Sequence, residues 1–208
     1  MGEYAAARPY FERALSINEK QLGPDHPDTA QSLNNLGALL QAMGEYAAAR
    51  PYYERALSIR EKQLGPDHPD TGMSAGNLAG IYEATGKFEE ALPLRKQALD
   101  IHENSLGKDH PVTATSLNNL GYLLRAMGEY AAARPYYERA LSIYEKQLGP
   151  DHPDTATSLN NLGALLQAMG AYAEARPYYE RALSICEAKF GADHPNTKVV
   201  RGNLQSLP

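Results

Sequence analysis

The chain has 208 residues, of which 43% are hydrophobic and 22% charged, so it can bury a core and does not have the composition of a disordered segment. Its formal net charge of −5 argues against nucleic acid as the main partner, because phosphate binding requires a dense positive surface. No stretch approaches the ~18 consecutive apolar residues of a membrane-spanning helix, and the first residues lack a secretory-signal pattern. The single cysteine, Cys186, excludes an internal disulfide and favours a cytoplasmic location.

The sequence repeats with a period of 42 residues, and five glycines mark that period: Gly2, Gly44, Gly86, Gly128 and Gly170. Segments 43–71 and 127–155 are identical except that Tyr144 replaces Arg60. The tripeptide Asp-His-Pro also recurs once in every unit, beginning at Asp25. The chain therefore consists of five copies of one unit, the last of them shortened.

The first part of the unit predicts a helix from about Pro27 to Met43. Pro27 suits the first helical turn, where its missing N–H is not needed, and Gly44 provides the backbone freedom of a C-terminal cap. The apolar stripe has helical spacing and comprises Leu33, Leu36, Leu39 and Leu40.

The second part of the unit predicts a helix from about Tyr46 to Leu64, which Gly65 and Pro66 close. Pro51 lies well inside this segment, where a proline removes one helical hydrogen bond and crowds the preceding turn. Two explanations are open: the helix bends at the proline, or it begins later. The apolar spacing continues across the proline, which favours a bend.

These residues carry a family resemblance that covers the whole chain. The long unit, with its sequences LNNLG and LGPDHPDT, is similar to kinesin light chain repeats and their bacterial relatives. The unit exceeds the ~34 residues of a standard tetratricopeptide repeat, and Leu33 or Ala75 stands where that family usually has tryptophan. The residues that resemble the tetratricopeptide consensus are, in order, Leu33, Leu36, Gly37, Leu40, Gly44, Ala49, Tyr53 and Ala56.

The repeat and the resemblance together imply an all-α protein, a right-handed α-solenoid of antiparallel helix hairpins with about ten helices. One hairpin cannot bury its own apolar stripe, whereas a stack of hairpins can. We expect a single array over residues 1–208. Its expected parts are a half unit at 1–23, full hairpins at about 27–65, 69–107, 111–149 and 153–191, and a short terminal helix at about 195–207.

The resemblance implies that the first helices of the hairpins line a concave, ligand-binding face. Two asparagine positions lie on these helices, and an amide that both donates and accepts hydrogen bonds suits a peptide backbone. The alternative is that the asparagines only fix the stacking of the hairpins. The first position holds Asn35, Asn77, Asn119, Asn161 and Asn203, and the position before it holds Asn34, Asn118 and Asn160.

Three further positions on the same helices differ between units and are candidates for specificity. Tyr122 with Arg125 is the most suggestive pair, since exposed tyrosine and arginine are enriched at binding hot spots. The alternative is a surface tyrosine that lies over a smooth helix. The three sets are Gln31, Met73, Thr115 and Thr157; Ala38, Gly80, Tyr122 and Ala164; and Gln41, Glu83, Arg125 and Gln167.

No residue pattern predicts catalysis, a cofactor or a metal site. His102 and Cys186 lie in different units, so a thiol nucleophile with its base is not supported. Successive Asp-His-Pro loops are one repeat apart, too far to share a metal ion held at ~2 Å, so we interpret them as stiff loops that cap helices.

We therefore expect a non-enzymatic scaffold that binds a peptide or partner protein, neither nucleic acid nor a membrane. The alternative is a structural spacer or oligomerisation array without a peptide ligand. The half units at the two ends also predict weak head-to-tail self-association, which is heterologous and need not close into a ring.

Overall fold

The computed structural model describes residues 2–208, with side chains from Tyr4 onward. The predicted all-α fold is confirmed, because ten helices follow one another along this part of the chain. They are α1 (Gly2–Gln21), α2 (Pro27–Ala42), α3 (Tyr46–Gln63), α4 (Pro69–Ala84), α5 (Phe88–Leu106), α6 (Pro111–Ala126), α7 (Tyr130–Gln147), α8 (Pro153–Ala168), α9 (Tyr172–Phe190) and α10 (Pro195–Gln205).

The turn between α2 and α3 is a Schellman motif, which satisfies the last carbonyl groups of α2. Gly44 has a positive φ of 78°, a conformation that a side chain would strain. Its N–H donates to the carbonyl of Gln41, and the N–H of Glu45 donates to the carbonyl of Leu40, each at 2.9 Å. Gly86, Gly128 and Gly170 also have positive φ, so a glycine fixes where each of these hairpins turns.

Helix α3 begins before its proline and continues through it. It starts at Tyr46 and includes Pro51, so the later start that the sequence left open is wrong. Pro51 lies in the second turn and has no N–H to donate to the preceding turn. The same arrangement recurs in α1, α5, α7 and α9, which contain Pro9, Pro93, Pro135 and Pro177.

Helices α2 and α3 approach closely because glycine faces an aromatic ring. A Cβ atom placed on Gly37 would lie 3.1 Å from the ring of Tyr53. Tyr53 is 2% exposed, and Ala49 and Ala56 on either side of it are fully buried. The ring thus fills the space that the small residues leave.

The helices form two compact units, Met1–Leu106 and Gly107–Pro208. In the first unit, α1 packs on α2, α2 on α3, α3 on α4 and α4 on α5. In the second unit, α6 to α10 pack on one another in the same consecutive order. Each unit is therefore a stack of antiparallel hairpins, while the single domain over 1–208 stays a prediction. Between residues 2 and 208, no helix combines the length and the apolar character needed to cross a membrane.

Candidate functional site

The Asp-His-Pro loops hold the starts of the first helices, as the capping interpretation predicted. His26 Nδ1 accepts a hydrogen bond from the N–H of Asp28 at 3.1 Å and so caps α2. The buried Thr29 hydroxyl donates to the carbonyl of Gly23 at 2.8 Å, which ties the loop to the helix. The same two bonds recur at His68 and Thr71, His110 and Thr113, His152 and Thr155, and His194 and Thr197.

The histidines are thus used for capping, and the sequence did not identify the threonine contact. Within the residues that the structure describes, no group of three or more His, Cys, Asp or Glu side chains is placed to hold a metal ion.

The first asparagine position lies at the surface of the first helices. Asn35 on α2 and Asn77 on α4 are exposed, and they occupy equivalent places in successive hairpins of the first unit. Asn119 on α6 and Asn161 on α8 are half-buried in the second unit. Asn35 Oδ1 accepts a hydrogen bond from Gln31 one turn earlier, at 2.9 Å. These amides are therefore within reach of a ligand on the first-helix surface.

The second asparagine position serves the stacking of hairpins. Asn34 is 5% exposed, and its amide nitrogen donates to the hydroxyl of Ser74 on the next first helix at 3.1 Å. Asn118 is 7% exposed and accepts from the hydroxyl of Ser158 at 3.2 Å. Burial removes these two side chains from contact with a ligand.

Asn160 is half-buried and accepts a hydrogen bond from Asn203 of α10 at 2.8 Å. All three residues of this second position therefore bridge first helices, as the stacking alternative proposed for them. Of the two asparagine positions, the one that begins with Asn35 is therefore the more accessible to a ligand.

Tyr122 and Arg125 lie together on α6. Tyr122 is exposed, and the guanidinium carbon of Arg125 is 5.6 Å from the centre of its ring, within the range of a cation–π contact. Arg125 is half-buried, and its Nε is enclosed without a hydrogen-bond partner. The pair thus presents an aromatic face at the surface and holds the cation behind it.

The third variable set, which includes Gln41 and Glu83, points into the hairpins. Tyr53 donates its hydroxyl hydrogen to Gln41 Oε1 at 3.0 Å, and Tyr179 donates in the same way to Gln167 at 2.7 Å. Burial raises the pKa of both tyrosines to about 12, and the charge of Arg125 opposes this rise at Tyr179. At Gln41 and Gln167 the variable residue therefore binds a buried tyrosine of the second helix.

A position on the second helices, which the repeat pattern alone did not predict as a site, reaches toward the first helices. We call its members the gap residues, because each lies between neighbouring helices of the stack. Asn18 donates to the Ser32 hydroxyl, His102 lies 3.2 Å from the Pro69 carbonyl, and Tyr144 bonds the Thr115 hydroxyl. The gap residues are Asn18, Arg60, His102, Tyr144 and Cys186.

The sequence contained a signal for this position, since Arg60 and Tyr144 are the single difference between two otherwise identical segments. Sequence alone did not show that the side chains at this position turn inward. Arg60 is 3% exposed, and burial lowers the pKa of its guanidinium.

Comparison with solved structures supports the fold. The nearly identical TPR-like repeats of a Podosopora anserina protein, assigned as a kinesin light chain, superpose with a TM-score of 0.74 at 28% identity. The match covers 91% of this chain and 90% of that one. BtubC (BKLC) from P. vanneervenii gives a TM-score of 0.80 at 24% identity, covering 98% of this chain and 81% of its own.

The apo form of RapI gives a TM-score of 0.76 at 21% identity, with 99% of this chain and 55% of that chain covered. The likenesses to BtubC and RapI are below 25% identity and show the fold alone. No curated protein matches the chain significantly.

A sequence model of the family described as Tetratricopeptide repeat matches the chain in overlapping segments. These are residues 1–62, 32–104, 70–146, 113–188 and 157–204, which together extend over residues 1–204. The repeat period, the hairpin geometry and this match agree: the chain belongs to the tetratricopeptide repeat family.

Proposed function

We propose that the chain is a protein–protein interaction scaffold that holds an extended peptide or a partner protein in a groove lined by its first helices. One observation carries the proposal: Asn35 and Asn77 are exposed at the same place on successive first helices, while the adjacent position is buried in stacking. Side-chain amides both donate to and accept from a peptide backbone, so a row of them binds extended chains of varied sequence.

This proposal includes no catalytic step and no cofactor, in keeping with a family of binding repeats. We also propose a cytoplasmic location, which the presence of a single cysteine, Cys186, favours.

The first test is affinity capture from a cell lysate, followed by titration of purified hits by fluorescence anisotropy. The test variant carries Asn35→Ala, Asn77→Ala, Asn119→Ala and Asn161→Ala. A matched control carries Gln63→Ala and Gln147→Ala, which are exposed amides at the ends of second helices. Circular dichroism verifies that all three proteins are folded.

A partner that binds the parent and the glutamine control but not the asparagine variant supports the scaffold. A partner that binds all three equally removes the asparagine row from the site. If the folded parent retains no partner, the structural-spacer alternative replaces the proposal.

Weak head-to-tail self-association is a second proposal, and the exposure of α1 favours it. Ile17 is 49% exposed, whereas its counterpart Ile59 is 2% exposed beneath the first helix of its own hairpin. In α10, Gln205 stands at the position of Gly37, where even a Cβ atom would crowd the aromatic ring of an incoming second helix. We therefore expect a joint weaker than an internal hairpin.

Light scattering over a concentration series tests this second proposal. The expected result is an apparent mass that rises with concentration and falls again when Ile17→Glu is introduced. A constant monomer mass at the highest concentration ends the proposal.

A further inference from the structure

The gap between the last helices is open, whereas an equivalent gap in the first unit is filled. In the first unit, Arg60 extends from α3 and donates to Gln31 on α2 at 2.7 Å. It also donates to the Asp70 carbonyl at 2.9 Å and the Ser74 hydroxyl at 3.1 Å, both on α4. One long side chain thus occupies the space between two first helices.

The residues equivalent to Arg60 and its partners line a pocket in the second unit. The period places Cys186 at the position of Arg60, and Thr157, Asn196 and Val200 at the positions of its three partners. All four residues line a cavity of about 410 Å³ between α8, α9 and α10. A cysteine is too short to span the gap, so the volume that Arg60 fills in its own hairpin is left open here.

The walls of this Cys186 pocket are more apolar than the surroundings of Arg60. Val200 replaces the serine that accepts from Arg60, and the hydroxyl of Thr157 is bonded to the carbonyl of Pro153 at 3.1 Å. Burial raises the pKa of the Cys186 thiol, so this wall is uncharged at neutral pH. The remaining lining residues are Pro153, Asp154, Ala156, Asn160, Phe190 and Val199.

The mouth of the pocket combines apolar exposure with one negative charge. Phe190 and Val199 are 40% and 58% exposed, and the Phe190 ring stacks on the ring of His194 with 4.6 Å between their centres. Asp154 is the charged residue among those that line the pocket. Thr157 lies on the first-helix surface already assigned to ligand binding, so the pocket is continuous with that surface.

We propose that the Cys186 pocket receives one aliphatic side chain of the partner peptide, with a basic residue beside it facing Asp154. This inference rests on the proposed scaffold function and assigns the chemistry of its ligand. The aliphatic chain takes the place that Arg60 fills in its own gap, and the thiol, Ala156 and Val200 supply its contacts. The other gap residues are larger than cysteine, so this gap provides the anchor of the groove.

Alkyl methanethiosulfonates test the pocket directly, because Cys186 is the one thiol of the protein. The thiolate displaces methanesulfinate from the reagent and forms a disulfide to the alkyl group, so no external oxidant is needed. We expect the butyl reagent to react about 10-fold faster than the sulfonatoethyl reagent, each relative to its rate with N-acetylcysteine, as burial of roughly two methylene groups implies. We also expect the butyl adduct to melt at a higher temperature than the unmodified protein. Equal relative rates, or a butyl adduct that melts lower, overturn the pocket.

Peptide selection separates the pocket from the scaffold itself. Peptides selected on the parent protein from a random displayed library are titrated against Cys186→Tyr, which introduces the residue found at the Tyr144 gap, and against Cys186→Ser. We expect the selected peptides to contain an aliphatic residue next to a basic one. They should bind C186Y about 10-fold more weakly than the parent, which corresponds to the loss of roughly two buried methylene groups. Their binding to C186S should be retained. If the peptides bind C186Y as tightly as the parent but no longer bind the asparagine variant, the pocket proposal is wrong and the scaffold proposal is retained. A folded parent that selects no peptide counts against the scaffold, while the butyl result still decides whether the pocket accepts an aliphatic chain.

Discussion

Arg95 and Glu83 form a two-point ion pair inside the hairpin of α4 and α5. The Arg95 Nε lies 2.7 Å from Glu83 Oε1, Nη2 lies 3.0 Å from Oε2, and the side chains are 10% and 11% exposed. The two residues occupy the positions of Tyr53 and Gln41, which bond each other in the preceding hairpin. In this hairpin both positions differ from those of the preceding one, and the buried polar groups remain paired.

We expect Arg95→Ala to lower the free energy of unfolding by about 3–5 kcal/mol, because it leaves the Glu83 carboxylate enclosed without its cation. Urea denaturation followed by circular dichroism measures the change. Arg50→Ala is the control, since its pair with Glu54 is exposed and should contribute under ~1 kcal/mol. The triple variant Ala79→Gly, Glu83→Gln, Arg95→Tyr reproduces the glycine, glutamine and tyrosine of the α2–α3 hairpin. It should recover most of the lost free energy of unfolding. Equal stability of R95A and the parent would contradict this account.

The close approach of α4 and α5 predicts a second effect. A Cβ atom on Gly72 would lie 2.8 Å from His102 Nε2 and 3.1 Å from Ile101 Cγ2. Both neighbours are buried, so Gly72→Ala should destabilise the protein by about 1–3 kcal/mol through overpacking. Gly202→Ala on α10 is the matched control, because its Cβ meets open space and should stabilise the helix by about 0.5–1 kcal/mol. Thermal melts distinguish the two, and a stabilising G72A would show that the helices separate easily.

The histidine caps make a prediction about local stability. His68→Ala removes the acceptor for the N–H of Asp70 and should cost about 0.5–2 kcal/mol. His68→Asn should keep most of that stability, since asparagine is a favourable capping residue. Chemical denaturation of both variants measures the difference. If H68N is as unstable as H68A, the ring itself, rather than its acceptor atom, holds the loop.

The buried tyrosines predict a loss of stability at high pH. Burial raises the pKa of Tyr53 and Tyr179 to about 12, whereas an unfolded tyrosine titrates near ~10. Because the folded-state pKa is the higher one, each contribution is fully present below about pH 10 and is lost as pH rises toward about 12. Complete loss amounts to roughly 2–3 kcal/mol for each tyrosine. Urea midpoints between pH 8 and 12 measure the slope of stability against pH. This slope should be shallower in the Tyr53→Phe, Tyr179→Phe double variant. An unchanged slope in that variant assigns the loss to other groups.

The sequence by itself determined the repeat and the limits of the helices. Pro27 and Gly44 act through backbone geometry that depends on a few neighbouring residues, and the structure begins α2 at Pro27 and turns at Gly44. The same residues recur in every 42-residue unit, so the prediction made for one hairpin applied to all of them and gave the all-α fold.

Only the tertiary structure decided which polar residues are available for binding. Asn34 and Asn35 are adjacent and identical in chemistry, yet the first is buried against Ser74 and the second is exposed. Successive residues of a helix point about 100° apart, so their fates depend on which side a neighbouring helix covers. Arg60 and Cys186 occupy equivalent positions, and the sequence shows that they differ. What each side chain does became visible only in the structure, because it depends on the two first helices that flank it. Local geometry depends on near neighbours in the chain, whereas exposure depends on contacts between residues far apart in sequence.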